Sequence, residues 1–181
     1  SSSGRMGRMA TGMPFYEVIR RNLIGAGTFE GIDLEKFFST LIPSASIAAR
    51  HTVGLVDPIC AADQKTRVND GLPETLEEVV SRYGHRWFKL KVGGDMQADV
   101  ERLSAIASVL DRLAEPYHAS LDGNEQYDDF EGVAALWSSM KAGPRLKRLV
   151  ESIIFFEQPV KRQKALQEKV AGIDKPVIID E

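Results

Sequence analysis

Apolar and polar positions follow two different periods along this chain, and the change of period near residue 51 divides it in two. Before that point apolar residues recur at helical spacing. Phe15, Val18 and Ile19 do so between Pro14 and Asn22, and Leu34, Phe37, Phe38 and Leu41 do so between Asp33 and Leu41. Both stretches predict helices, joined through a turn at Gly25-Ala26-Gly27. From His51 onward short apolar runs, turns and helical patterns alternate, as parallel α/β structure requires. Pro73, in a first helical turn, opens a run with Leu76, Val79 and Val80 that Gly84 closes. Asp95 is an N-cap candidate for a helix carrying Leu103, Ile106 and Leu110, and Asp128 or Asp129 starts another carrying Val133, Leu136, Trp137 and Met140. Gly143-Pro144 breaks that helix, a basic stretch from Lys141 to Arg148 leads to Ile153, and a last helix is expected around Lys164 to Val170.

The apolar runs share an ending. Phe88-Lys89-Leu90-Lys91, Ser120-Leu121-Asp122, Ile153-Ile154-Phe155-Phe156-Glu157 and Ile178-Ile179-Asp180-Glu181 each reach a charged side chain, and Thr52 to Asp57 is a milder case. Barrel strands are apolar along their length and carry their chemistry at their C-terminal ends. The fold class predicted is therefore α/β, an incomplete (β/α) TIM-type barrel of about five parallel strands. Strand alternation puts Lys89 and Lys91 on one face, with Phe88, Leu90 and Val92 on the other. Asp122 and Asn124 project together if that strand stays extended past Gly123. Two lysines then face three carboxylates, Asp122, Glu157 and Asp180. Crowded carboxylates repel one another, so if they converge a divalent cation follows, and oxygen ligands favour magnesium or manganese.

Composition narrows the partners. Hydrophobic residues make up 43% and charged residues 27%, as in ordinary globular proteins, so disorder is not expected for most of the chain. A net charge of -3 gives neither nucleic acid nor an anionic membrane surface a reason to bind. No apolar stretch approaches the ~20 residues that span a bilayer, and Ser1-Ser2-Ser3-Gly4-Arg5 lacks the apolar core of a signal peptide and reads as an expression scar. Cys60, the single cysteine, forms no internal disulfide, in keeping with a cytoplasmic location. His51, His85 and His118 fall at strand starts or in loops, away from the charged strand ends. Gly93-Gly94-Asp95 is a weak signal for a phosphate cradle.

Lys89-Leu90-Lys91-Val92-Gly93, Leu121-Asp122-Gly123-Asn124-Glu125-Gln126-Tyr127, Phe156-Glu157-Gln158-Pro159 and Ile179-Asp180-Glu181 resemble, in order, consecutive motifs of the enolase superfamily in its mandelate racemase and muconate lactonizing enzyme branch. The resemblance covers residues 51 to 181 as the N-terminal portion of the barrel. Met13-Pro14-Phe15-Tyr16 with its helix looks like the tail of that family's α+β capping domain, giving a boundary between residues 1–50 and 51–181. It implies a racemase, epimerase, cycloisomerase or dehydratase that abstracts the proton alpha to a carboxylate through a metal-stabilised enediolate. Asp122, Glu157 and Asp180 would be the Mg2+ ligands, with Mn2+ the alternative. Lys91 would be the acid/base lysine. Lys89 would hold the substrate carboxylate and, as a like charge, ease deprotonation of Lys91. Asn124 and Glu181 would line or support the site. Implied partners are a small carboxylic acid substrate and further copies of the chain in a homo-oligomer. The family's remaining barrel strands, which bring a second acid/base group, are not in this sequence, and Gly123 stands where alanine is frequent. The rival reading is a non-catalytic barrel remnant or proteolytic fragment that serves as an oligomerising or binding module.

Overall fold

A computed structural model describes residues 12–180 of the 181-residue chain. Glu181 and the initial serines lie outside the described residues. The chain divides into two compact units, residues 1–47 and 48–181.

In the first unit, α1 (Phe15–Arg20) and α2 (Leu34–Ser39) form where the helical spacing predicts them. Asp33 caps α2 by accepting a hydrogen bond from the Lys36 amide at 3.0 Å. Between the helices the structure adds a hairpin that the pattern does not reveal. Its strands, β1 (Thr28–Phe29) and β2 (Ile32–Asp33), are antiparallel and only two residues long. That is too short for alternation to register, so the signal lies instead in Glu30-Gly31, where both residues take positive φ as a tight hairpin turn needs.

The second unit is a parallel sheet whose strands pair in sequence order, β3 (Arg50–Val53), β4 (Trp87–Lys91), β5 (His118–Asp122), β6 (Ile153–Glu157) and β7 (Val177–Ile178). Sequential order without reversal is the winding of a (β/α) barrel, whereas a doubly wound sheet would reverse. Five such strands give the incomplete barrel expected. The connections carry α3 (Leu76–Tyr83), α4 (Met96–Leu110), α5 (Phe130–Ala142), α6 (Lys147–Ser152) and the short α7 (Arg162–Ala165). One apolar cluster joins Phe88, Leu90, Leu121 and Phe156 of the strands to Leu103, Ile106, Leu136, Trp137 and Met140 of the helices. Each of these is nearly or wholly buried, and burial of such a side chain contributes about 1.5–3 kcal/mol. Trp137 meets Phe156 edge-on at 5.4 Å.

Local chemistry sets the element ends. Asp95 caps α4 and Asp129, rather than Asp128, caps α5, each through its carboxylate oxygen. Gly84 closes α3 in the left-handed conformation. Four expectations change. The cap of α3 is Thr75, two residues beyond Pro73, because its hydroxyl accepts from the Glu78 amide. The strand expected through Asp57 ends at Val53, since the Asp57 carboxylate accepts from the Gly54 amide at 2.7 Å and closes a turn. The basic stretch before Ile153 is helical, and Arg148 within it donates to the carbonyls of Asp111, Leu113 and Glu115. The helix expected from Lys164 to Val170 is instead α7, which ends at Ala165.

Gly93 and Gly94 cradle an anion, but it is the protein's own. Asp99, on α4 and only 4% exposed, accepts from the Gly93 amide at 2.7 Å, the Gly94 amide at 3.0 Å and the Tyr127 hydroxyl at 2.7 Å. These bonds pin the loop after β4 and leave no phosphate cradle. Asp99→Ala should lower unfolding stability by about 3 kcal/mol in urea titration, since buried donors lose a charged acceptor. Burial, and then the hydrogen bond to Asp99, push the Tyr127 phenol above its ordinary range. A raised folded-state pKa adds stability that is complete below the unfolded tyrosine value of about 10 and is lost as pH rises beyond it. The urea midpoint should therefore fall at alkaline pH, and Tyr127→Phe should blunt that fall; an unchanged alkaline slope in the variant would refute the linkage.

Candidate active site

In-register parallel pairing builds the site. Lys91 is level with Asp122 and Asp122 with Glu157 at the C-terminal ends of β4, β5 and β6. Neighbours in register point to the same side of a sheet, so these three side chains share the face opposite the helix-packed core. Lys89 lies two residues back on the same face. Buried and half-exposed positions alternate strictly along β4, as the sequence predicts.

The charges meet. Lys91 Nζ is 2.7 Å from Asp122 Oδ2, and Lys89 Nζ is 2.6 Å from that same oxygen and 2.7 Å from Glu157 Oε1. The Asp122 side chain is 2% exposed and its Oδ1 accepts from the Asn124 amide at 3.0 Å. Burial by itself would raise the Asp122 pKa, but the hydrogen bonds from Lys89 and Lys91 outweigh it and hold the carboxyl below its ordinary range. For Lys89, burial disfavours the ammonium, yet its bonds to Asp122 and Glu157 prevail and the pKa rises. The expected role of Lys89 as a bare like charge beside Lys91 is thus modified: a carboxylate oxygen lies between the two ammonium groups.

Arg50 is the participant that sequence reasoning missed. It enters from the start of β3, donates to Ser120 Oγ at 2.9 Å, lies over the Phe155 ring and comes within 3.1 Å of Glu157 Oε2. This last contact is ionic, because Glu157 Oε2 is buried without a hydrogen bond. Only strand register reveals it, as Arg50 is level with Trp87, two residues behind Lys89. Gln158 is the second omission. It is fully buried at a positive φ of 34°, its Oε1 accepts from the Asp180 amide at 3.0 Å, and its Nε2 donates to the Val160 carbonyl at 3.0 Å. The side chain ties the end of β6 to the segment after β7.

Two sequence-predicted residues sit differently. The β5 strand does not continue beyond Asp122: Asn124 and Glu125 take positive φ of 43° and 65°, so Asn124 does not extend the strand face of Asp122. Asp180 lies two residues past the end of β7 and is exposed. Glu181 lies outside the described residues. Among the described residues no three His, Cys, Asp or Glu side chains gather closely enough to hold a metal ion. Asp122 and Glu157 adjoin on one face and are oxygen donors of the kind a hard cation takes, and in this structure Lys89, Lys91 and Arg50 pair with them. The histidines are remote from the charged strand ends, with His51 stacked on His85 and His118 against Trp87. Among the described residues no helix is long and apolar enough to cross a membrane.

A family model described as enolase C-terminal domain-like matches residues 71–181. The chain belongs to that family. Within it the chain falls in the mandelate racemase and muconate lactonizing branch. Among solved structures it is similar to a mandelate racemase/muconate lactonizing protein from Herpetosiphon aurantiacus, with 27% identity and a TM-score of 0.41. The likeness covers 57% of this chain and 27% of that one, so the matched part spans only about a quarter of that relative's length. No curated protein matches.

Gly123, just past the end of β5, is packed tightly against the Pro159 backbone. A Cβ there would lie 2.6 Å from Pro159 Cα and 2.8 Å from the Pro159 carbonyl oxygen, inside contact distance of backbone that cannot swing aside. Gly123→Ala should therefore cost about 1–3 kcal/mol of stability in chemical denaturation, and a neutral effect would show that the loop yields.

Proposed function

We propose that the protein containing this chain is a magnesium-dependent enzyme that removes the proton alpha to the carboxylate of a small carboxylic acid, as a racemase, epimerase, cycloisomerase or dehydratase. The observation that carries this reading is the continuous charge chain Lys91, Asp122, Lys89 and Glu157 across three adjacent strand ends. Barrel enzymes carry their chemistry at this edge. Counting Arg50, three cations meet two carboxylates there, an excess of one positive charge, which suits an anionic substrate.

Each residue has a separable task. A proton next to a carboxylate is weakly acidic, so positive charge must be in place where negative charge develops. Lys91 Nζ is the proton acceptor, and Lys89 holds the carboxylate of the substrate. Asp122 and Glu157 would hold Mg2+, or Mn2+, which when bound stabilises negative charge on the substrate oxygens, and Asp180, exposed beyond β7, would have to close on them to serve as a third ligand. Asp122 additionally orients Lys91 through the 2.7 Å contact. Gln158 positions the Asp180 backbone.

The test is exchange of the alpha proton with solvent deuterium, followed by NMR on candidate carboxylic acids with the full protein. Lys91→Ala should slow exchange by about 100-fold or more, the usual contribution of a positioned acid/base group. Exchange at the wild-type rate would remove Lys91 from the role.

A further inference from the structure

Tyr127 lies on the loop after β5, yet its contacts link the loops after all three strands that carry the charged row. Its hydroxyl donates to Asp99 Oδ2 at 2.7 Å. Asp99 in turn accepts from the amides of Gly93 and Gly94, which follow Lys91 at the end of β4. On the other side the Tyr127 amide donates to the Pro159 carbonyl at 3.2 Å, and Tyr127 forms a parallel bridge with Val160, just beyond Glu157 and β6. We propose that Tyr127, acting through Asp99, is a positioning residue that locks the loops after β4, β5 and β6 to one another and so fixes Lys91 for proton transfer. The inference rests on the reading of Lys91 as proton acceptor in the preceding section.

The two flanks of Tyr127 are built differently. The loops after β5 and β6 are joined repeatedly: the Gly123 amide donates to the Glu157 carbonyl, the Glu125 amide to the Gln158 carbonyl, and Glu125 Oε1 accepts from the Arg162 amide at 2.7 Å and from Arg162 Nε at 2.8 Å. The loop after β4 has no such ladder. Gly93 and Gly94 offer no side chain to pack, and Gly94 takes a φ of 87°, so this turn is held through its backbone amides. Asp99 supplies the acceptor from α4, and the Tyr127 hydroxyl ties that acceptor to the β5 side. The two loops touch there, since a Cβ on Gly94 would lie 2.6 Å from the Gln126 carbonyl oxygen. The phenol ring is itself wedged. Tyr127 is buried, and its Cδ1 lies 3.2 Å from where a Cβ on Gly132 of α5 would stand. Lys91 is two residues before Gly93 and its Nζ is 2.7 Å from Asp122, so a shift of the β4 loop against the β5 loop displaces the base. A misplacement of about 1 Å can cost about 100-fold in rate. Tyr127 acts on that geometry from behind the sheet end, so its loss falls on turnover and leaves substrate affinity in place.

Two measurements on the full protein test this, alpha-proton exchange of candidate acids and hydrogen exchange of the backbone amides. Tyr127→Phe keeps the ring and removes the hydroxyl. Its kcat should fall about tenfold with KM unchanged, and the Gly93, Gly94 and Gln126 amides should exchange about tenfold faster than in the wild type. Trp137→Phe, which loses the indole bond to Asp174 in the core, controls for general destabilisation and should keep the wild-type kcat. Asp99→Asn should lower kcat likewise, and adding Tyr127→Phe to it should cost little more, because both act through one hydrogen bond. An unchanged kcat in Tyr127→Phe, an equal loss in Trp137→Phe, or losses that simply add would overturn the positioning role. Should Asp99→Asn fail to fold, Tyr127→Phe and Trp137→Phe decide the matter. If the wild type exchanges no candidate acid, the proposed function falls and the catalytic role of Tyr127 with it; unchanged amide exchange in Tyr127→Phe would refute the lock between the loops whatever the activity.

Discussion

In-register pairing of parallel strands is the constraint from which the rest follows. A strand has two faces, and the helices of the second unit claim one of them for Phe88, Leu90, Leu121 and Phe156. Register then forces the remaining positions together on the other side, so that Lys91, Asp122 and Glu157 form one row. A slip of one residue in any strand would exchange the two sets, placing lysines in the core and phenylalanines at the rim. The apolar core and the polar site therefore depend on a single geometric condition.

Opposite charges in the row are a requirement of burial as well as of chemistry. Asp122 and Glu157 are largely withdrawn from water, and an unpaired carboxylate there would be costly. Lys89, Lys91 and Arg50 meet that cost within the chain itself. The same contacts serve stability and the proposed function.

The rim is fixed by backbone groups more than by conspicuous side chains. Asp99 gathers the amides of Gly93 and Gly94, the Gly123 amide donates to the Glu157 carbonyl, and Glu125 and Tyr127 donate to the carbonyls of Gln158 and Pro159. Non-glycine residues Asn124, Glu125 and Gln158 take left-handed φ in the same region. Such strain persists only where surroundings over-determine it, and here it turns the chain sharply enough for strand-end side chains to meet.

Sequence alone determined the parts that follow from period and cap chemistry. The alternation in Trp87–Lys91, the cap Asp95, the narrowing of the next cap to Asp128 or Asp129, the α/β order and the strand-end placing of Lys89, Lys91, Asp122 and Glu157 were legible, because each is a local pattern of one or two turns or strands. Tertiary structure decided which charges touch. That Lys89 bridges two carboxylates, that Arg50 reaches Glu157 from 107 residues away in sequence, that Gln158 holds Asp180 and that Asp99 fills the glycine cradle all depend on strand register and loop closure. No local pattern encodes a distance between segments. It is set when the apolar faces pack and the strands lock into pairing.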